Sequence, residues 1–207
     1  MRTQTKETQK SLAPKNALEI LRAGNERFIS NLKANRNLLE QVNITSEGQF
    51  PFAAVLSCID SRTSAELIFD QGLGDIFSIR IAGNILNDDI LGSMEFACKV
   101  AGSKLILVLG HTKCGAIAGA CNHVEMGNLT TLLNKVKPAI EREKTVPDNR
   151  DGSNAEFVKK VTEHNVFVVM EQIRERSEIL RTMEKEGSIM IVGGLYEVET
   201  GKVTFYQ

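Results

Sequence analysis

The stretch that decides the fold is Lys104-Leu-Ile-Leu-Val-Leu-Gly110, an apolar run that ends in His111-Thr-Lys-Cys114. Its length and its content of leucine, isoleucine and valine are typical of a β-strand. Because no polar residue interrupts the run after Lys104, both faces of this strand are predicted to be buried. A strand buried on both faces requires helices on both sides of its sheet, which favours an α/β fold.

Predicted strands and predicted helices alternate on both sides of this run. Further strands are predicted at 52–57, 76–81, 189–192 and 203–206, and the last two flank a hairpin signal at Glu199-Thr-Gly201. Helices are predicted at 15–35, 64–70, 87–101, from Cys114 to about 126, through 132–136, and from a candidate capping box at Ser153-Asn-Ala-Glu156 to Gly187. We therefore predict an α/β fold whose mainly parallel central sheet has four parallel strands plus an added C-terminal strand, flanked by helices.

Length and composition limit the possibilities further. With 207 residues, 42% of them hydrophobic, the chain is long enough for a single domain over 1–207. We expect an N-terminal helical arm at 1–45 and an α/β core at 46–207. The net charge of −1, with acids and bases interspersed, does not favour binding to nucleic acid or to an anionic membrane.

The lengths and positions of the apolar segments predict where the protein is located. No apolar run approaches the about 20 residues of a membrane span. The N-terminal residues Met-Arg-Thr-Gln-Thr-Lys-Glu have no apolar segment of the kind that a secretory signal requires. We therefore expect a cytoplasmic protein without a membrane partner.

Two of the predicted strands end in residues that can ligate a metal. Cys58 follows the strand at 52–57, whereas His111 and Cys114 follow the strand at 104–110. Because α/β sheets bind ligands at the carboxyl ends of their strands, we expect these side chains to meet there. Two thiolates and one imidazole suit zinc, and three protein ligands leave the fourth tetrahedral position open for water or substrate. The pattern therefore predicts one catalytic Zn²⁺ per chain.

An acidic and a basic residue follow Cys58 closely, at Asp60 and Arg62. A carboxylate this near to zinc can accept a hydrogen bond from the metal-bound water, or can take the open position itself. Arg62 can hold the carboxylate off the metal by charge-assisted pairing. The alternative is an ordinary ion pair within a loop.

These motifs together resemble those of a known family. Cys58-x-Asp60-x-Arg62 with His111-x-x-Cys114 resembles the β-class carbonic anhydrases, and the likeness covers nearly the whole chain. Further similarities are Gly24-Asn25-Glu26-Arg27-Phe28 near the N-terminus, Gln49 at the place of an active-site glutamine, Phe77 at the place of a pocket phenylalanine, and Arg80 in Arg80-Ile-Ala-Gly-Asn84.

The resemblance implies a reaction and an assembly. It implies reversible hydration of carbon dioxide to bicarbonate and a proton by attack of zinc hydroxide. Asp60 would accept the hydrogen bond of that hydroxide, Arg62 would keep Asp60 off the zinc, and Gln49 would donate to a substrate oxygen. It further implies a homodimer or a dimer of dimers, with the N-terminal helices wrapped over the partner.

Other functions stay open at this point. A hydrolase of carbon disulfide or carbonyl sulfide would use the same ligands, and a noncatalytic zinc-binding bicarbonate sensor would share the scaffold. A redox protein using Cys58 and Cys114 is disfavoured because the chain has no Cys-x-x-Cys pair. Phe77 could be a core residue, and Arg80 could form a structural ion pair. Cys98 and Cys121 are predicted to be packed thiols.

Overall fold

The central feature of the computed structural model, which describes residues 3–206, is one five-stranded sheet with the strand order β2-β1-β3-β4-β5. The strands are β1 Ala53–Ser57, β2 Ile76–Arg80, β3 Leu105–His111, β4 Met190–Tyr196 and β5 Val203–Tyr206. Strands β1 to β4 are parallel, whereas β5 pairs antiparallel with β4. The predicted α/β fold with a mainly parallel sheet and an added C-terminal strand is confirmed.

Helices cover both faces of the sheet. They are α1 Lys6–Ser11, α2 Pro14–Ile29, α3 Leu38–Thr45, α4 Ala65–Ile68, α5 Asp88–Glu95, α6 Gly115–Cys121, α7 Gly127–Leu133, α8 Lys137–Arg142, α9 Ala155–Arg176 and α10 Glu178–Lys185. Short 3₁₀ segments lie at Ala82–Asn84 and Asn134–Val136, and a π-helical turn lies at Phe96–Val100. Within residues 3–206, none of the helices has the length and apolar character needed to cross a bilayer.

The two central strands explain why the sequence of β3 is so apolar. Every residue of β1 and β3 is buried. Alternate residues of β3 face two different clusters: Leu105, Leu107 and Leu109 pack with α2, whereas Ile106 and Val108 pack with α9 and α10. Burial of both faces removes apolar surface from water on each side of the sheet, which stabilises the fold.

The predicted helix from 153 to 187 is wrong at its start and in its middle. The cap is Asn154, whose side chain accepts hydrogen bonds from the first-turn amides, and not Ser153. Ser177 has extended backbone angles and separates α9 from α10. Its hydroxyl donates to Glu95 Oε1 at 2.6 Å and accepts from the Leu180 amide at 3.1 Å, so it ends one helix and caps the next.

Other predicted helices are shorter than expected. The helix predicted at 15–35 ends at Ile29, and Asn31 takes a left-handed conformation with φ of 54°. The helix predicted to reach about 126 ends at Cys121, and His123 is left-handed with φ of 54°. The helix predicted at 87–101 changes from α to π geometry at Phe96. A left-handed residue stops the α-helical hydrogen-bond pattern, and such stops depend on tertiary contacts that a sequence pattern does not contain.

The N-terminal residues contain, besides α2, the helices α1 and α3, for which no bounds were predicted from the sequence. Helix α2 is an integral part of the core, because Leu18 and Leu21 are fully buried against the sheet. Asn25 fixes α2 to the rest of the chain: its Nδ2 donates to the carbonyl oxygen of Gly201 at 2.9 Å, and its Oδ1 accepts from the Val203 amide at 2.9 Å. The division into an arm at 1–45 and a core at 46–207 stays a prediction.

Candidate metal centre

The three candidate ligands meet at the carboxyl edge of the sheet. Cys58 directly follows β1, His111 is the last residue of β3, and Cys114 is the N-cap of α6. All three side chains are buried, and their donor atoms lie within 4.8 Å of one another. The two sulfur atoms are 3.9 Å apart. This is a compact donor set that can surround one metal ion.

His111 has the tautomer that a metal ligand requires. Its Nδ1 lies 2.9 Å from the carbonyl oxygen of Thr112, which can only accept a hydrogen bond, so Nδ1 carries the proton. The lone pair is then on Nε2, which is buried and has no hydrogen-bond partner among residues 3–206. A buried nitrogen lone pair without a donor fits a metal ion, and the Thr112 carbonyl orients the ring as in other histidine-metal sites.

The two thiols are strongly coupled. Hydrogen bonding by the Cys114 thiol is the main cause that lowers the pKa of Cys58 against the effect of burial, and the Gly83 amide contributes to the same shift. The same hydrogen bond, followed by burial, raises the pKa of Cys114. The pair therefore keeps one proton between its sulfurs, and a second thiolate needs a cation in place of that proton. The donor set thus fits a divalent metal that favours sulfur, such as zinc.

Asp60 is held in a fixed orientation beside the donor set. Arg62 donates from Nε to Oδ1 at 2.9 Å and from a terminal guanidinium nitrogen to Oδ2 at 2.8 Å, and its amide also donates to Oδ1 at 3.0 Å. The Arg62 side chain is the main cause that holds the pKa of Asp60 well below its usual range. Asp60 Oδ2 lies 4.0 Å from His111 Nε2. An ionised carboxylate therefore sits next to the atoms that can ligate the metal.

Arg80 contacts the backbone of the loop that carries Cys58. It donates from Nε to the carbonyl oxygen of Cys58 at 3.1 Å and from a terminal nitrogen to that of Asp60 at 2.7 Å. Within residues 3–206 Arg80 forms no ion pair, and the alternative of an ion pair at a subunit interface stays a prediction. These two contacts position both the ligand and the neighbouring carboxylate.

The two remaining predicted site residues lie apart from the donor atoms. Gln49 is exposed ahead of β1 and forms no hydrogen bond with another residue of the described part of the chain. Phe77 is half-buried on the edge strand β2, where its ring meets that of Phe96 edge-on at a centroid distance of 6.3 Å. Within residues 3–206, neither side chain forms a hydrogen bond or an aromatic contact with any of the three ligands.

Sequence reasoning did not assign roles to the residues that support the Cys58 loop. The buried Thr63 hydroxyl contacts the carbonyl oxygen of Cys58 at 3.0 Å and that of Asp60 at 2.8 Å. The Gly83 amide donates to Cys58 Sγ at 3.3 Å. Gly83 belongs to the segment Arg80-Ile-Ala-Gly-Asn84, so the motif itself was the available signal. Thr63 had no such signal, because threonine is common in loops.

A cleft adjoins the ligand Cys114. Its cavity volume is about 470 Å³, and it is lined by residues that include Thr112, Lys113, Gly115, Ser153 and Glu199. Lys113 and Glu199 form an exposed ion pair at 2.7 Å. A water molecule occupies about 30 Å³ in the liquid, so the size of this cleft does not exclude substrates somewhat larger than carbon dioxide.

The fold and the site together define a class: α/β proteins with a buried Cys-His-Cys metal-binding group at the carboxyl edge of a parallel sheet. The sequence model of the carbonic anhydrase family matches residues 53–203. The chain is 34% identical over 198 residues to carbonic anhydrase 2 of Mycobacterium tuberculosis, which covers 91% of each protein. The chain belongs to the carbonic anhydrase family, in its β class. Carbonic anhydrases are enzymes, so the prediction of an enzyme is confirmed.

Solved structures support the assignment of the fold. The chain is similar to the β-carbonic anhydrase CcaA, with a TM-score of 0.71 and 23% identity, over 93% of this chain and 94% of the other. It is also similar to one of two tetrameric β-carbonic anhydrases from Sordaria macrospora, with a TM-score of 0.69 and 20% identity, over 92% and 96%. A shorter match, 34% identical over 77 residues, is to carbon disulfide hydrolase of Acidithiobacillus thiooxidans and covers 34% of this chain and 36% of that protein.

Proposed function

We propose that the protein catalyses the zinc-dependent, reversible hydration of carbon dioxide to bicarbonate and a proton. The observation that carries this proposal is the buried group of Cys58, His111 and Cys114 with an ionised carboxylate, Asp60, held beside it. These three residues would hold one zinc ion per chain. When bound, zinc acts as a Lewis acid that lowers the pKa of a water molecule from about 15.7 towards neutrality.

Asp60 is the residue that we propose to orient the attacking oxygen. Because Arg62 keeps this carboxylate ionised, both of its oxygens can only accept hydrogen bonds. Oδ1 already accepts two hydrogen bonds from Arg62, whereas Oδ2 accepts one and retains a further acceptor site, and Oδ2 lies 4.0 Å from His111 Nε2. Asp60 would therefore accept a hydrogen bond from the O–H group of the nucleophile. This bond would direct a lone pair of the nucleophile's oxygen towards the carbon atom of carbon dioxide.

Arg62 has a separate role in this proposal. Two side-chain hydrogen bonds to one carboxylate restrain both its position and its rotation. The restraint would keep Asp60 from occupying the fourth ligand position itself. The Asp60–Arg62 pair would therefore decide whether that position is open, which is the gating role that we propose for it.

The two cysteines set the expected pH dependence. Thiolates donate more charge than imidazoles, so Cys58 and Cys114 would leave the site with less power to acidify water than three histidines would. We therefore expect activity to favour mildly alkaline pH. The proton that each turnover produces would leave to buffer.

Substrate contacts and assembly belong to the same proposal. We propose that Gln49, Phe77 and Arg80 contribute to the substrate pocket, and that the chain forms a homodimer or a dimer of dimers in the cytoplasm. Similarity to tetrameric β-carbonic anhydrases supports self-association. So do two exposed apolar side chains of the π-helical turn, Phe96 and Val100, which are 54% and 72% exposed.

The second candidate is hydrolysis of carbon disulfide or carbonyl sulfide at the same site. The local similarity to a carbon disulfide hydrolase and the size of the cleft beside Cys114 favour keeping it. A noncatalytic bicarbonate sensor is less well supported, because a structural zinc site would have a fourth protein ligand in place of an Asp–Arg pair. Rates with the three substrates on one preparation separate these functions.

The test is a stopped-flow measurement of carbon dioxide hydration from mildly acidic to alkaline pH, on protein whose zinc content has been quantified. We expect a rate that rises with pH. Zinc-loaded protein without hydration activity at any pH would overturn the proposal. Hydrolysis of carbon disulfide or carbonyl sulfide by that same preparation would then establish the second candidate.

A further inference from the structure

We infer that Asn165, on α9, is a positioning residue for the metal ligand Cys58 and acts through the backbone of Gly83. The inference rests on the proposed zinc site and adds to it a residue that contacts neither metal nor substrate. The connection has two hydrogen bonds. Asn165 Nδ2 donates to the carbonyl oxygen of Gly83 at 2.9 Å, and the Gly83 amide donates to Cys58 Sγ at 3.3 Å.

The backbone at Gly83 needs such a contact to keep its orientation. Gly83 and Asn84 are consecutive left-handed residues, with φ of 67° and 42°. Left-handed backbone is unfavourable for a residue with a side chain, and glycine has the widest choice of other conformations. A bond from outside the turn therefore has a defined task, which is to select the one conformation that directs the Gly83 amide at the sulfur.

Helix α9 is a fixed point from which Asn165 can act. Asn165 is 1% exposed. On the same face of α9, Thr162 and Val166 approach Gly110 so closely that a Cβ atom there would lie 3.2 Å from Thr162 Cγ2 and 2.8 Å from Val166 Cγ2. Gly110 immediately precedes His111, so one face of α9 packs against the strand that carries His111 and bonds to the turn that contacts Cys58. The helix thereby relates the two ligand segments to each other.

The contact matters chemically because it ends on a ligand atom. An N–H group that donates to a thiolate withdraws charge from the sulfur and stabilises its ionised form. Cys114 is the N-cap of α6, so the positive end of that helix lies beside its sulfur. Cys58 lies at no helix N-terminus and depends on Gly83. Loss of the Asn165 bond should therefore change one sulfur of the pair.

The test replaces Asn165 with leucine, which has a similar volume but no donor, in the full-length protein. Groups that orient metal ligands typically contribute about 10-fold to 100-fold in metal affinity, so we expect Asn165→Leu to bind zinc more weakly by that factor in a chelator competition. With Co²⁺ in place of zinc, the sulfur-to-metal charge-transfer band should move to longer wavelength, because a sulfur without its hydrogen bond donates more readily.

Two further variants make the result specific. Thr162→Val is the control: it removes a buried hydroxyl from the same helix face, where Thr162 Oγ1 donates to the carbonyl oxygen of Val158 at 2.7 Å, and it should leave the Co²⁺ band unchanged. Asn165→Ser is too short to reach Gly83 and replaces the leucine variant if that one does not fold. Asn165 variants with wild-type zinc affinity and an unshifted band would overturn the inference. Wild-type protein that binds neither metal would instead overturn the proposed function.

Discussion

The two chain segments that supply the proposed ligands are supported in different ways. His111 is oriented by the carbonyl oxygen of the next residue, Thr112, and Cys114 lies at the N-terminus of the helix that follows it. Cys58 lies in a loop whose carbonyl oxygens and sulfur accept hydrogen bonds from Arg80 and Gly83, more than twenty residues further along the chain. Local contacts therefore orient His111 and Cys114, whereas the loop of Cys58 combines the local Thr63 hydroxyl with these distant donors.

Because of this difference, we expect substitutions at distant residues to affect Cys58 more than His111 and Cys114. A strand–turn–helix segment forms as one local unit, so changes elsewhere should alter it little. The Cys58 loop needs the strand β2 and the turn after it to be in place, so changes in distant residues should reach the metal through Cys58.

Removing either sulfur ligand should have the largest effect, and the effect should be equal for the two segments. Cys58→Ser and Cys114→Ser should each lower kcat/KM for carbon dioxide hydration by ~1000-fold, as expected if several kcal/mol of Lewis-acid stabilisation is lost. Zinc content per chain, measured on the purified variants, should fall in parallel. If one of the variants kept its zinc and its activity, that cysteine would not be a ligand.

Asp60→Asn should separate catalysis from metal binding. Loss of the acceptor that orients the nucleophile would misplace the attacking oxygen, which can cost about 100-fold, so the hydration rate should fall by ~100-fold. Zinc content should stay at the wild-type value, because Asp60 is not among the three ligands. Full activity at every pH would contradict the role proposed for Asp60.

Arg80→Met tests the distant support of Cys58 directly. The variant loses both hydrogen bonds to the carbonyl oxygens of Cys58 and Asp60, and zinc affinity should fall by roughly 10-fold. Arg142→Met is a matched control, since Arg142 pairs with Glu171 on the surface at 2.7 Å. A rise in KM with unchanged zinc affinity would instead indicate that Arg80 contacts substrate.

The smallest effect on the site should come from Glu143, which supports neither ligand segment. Burial raises the pKa of this carboxyl, but hydrogen bonds from the Thr145 side chain, from the Val146 and Thr145 amides and from His164 lower it to about 2 overall. Because the folded pKa lies below the unfolded value of 4.5, the stabilisation is complete above pH 4.5 and is lost as the pH falls through about 2.

Glu143→Gln should therefore lower the melting temperature at neutral pH. From neutral to acidic pH, the melting temperature of this variant should fall less than that of the wild type, while zinc affinity stays unchanged. Thermal unfolding followed between about pH 2 and pH 7 measures this. The pH window comes from the folded and unfolded pKa values of Glu143. A variant whose melting temperature still fell with acid like that of the wild type would show that other groups dominate.

The sheet could be predicted from the sequence because each of its central strands is a short, continuous apolar run. The run that ends at His111 is apolar throughout, and its predicted bounds of 104–110 differ by one residue from Leu105–His111. Helix ends were predicted less well. The break at Ser177 depends on its bond to Glu95, far away in sequence, and no local pattern contains that contact.

The same distinction applies to the site. The donor residues could be proposed from residue types at strand ends, since cysteine and histidine are the usual zinc ligands. The support of Cys58 by Arg80, Gly83 and Asn165 could not, because an arginine, a glycine and an asparagine have many uses and only the folded chain shows which carbonyl oxygen or sulfur each one meets.

The measurement that tests the central claim most directly is a zinc titration of metal-free protein, with the initial rate of carbon dioxide hydration recorded at each step. We expect a rate that rises in proportion to added zinc and levels off at one zinc ion per chain. A chain that binds one zinc ion without gaining hydration activity, or one that is fully active without metal, would contradict this expectation.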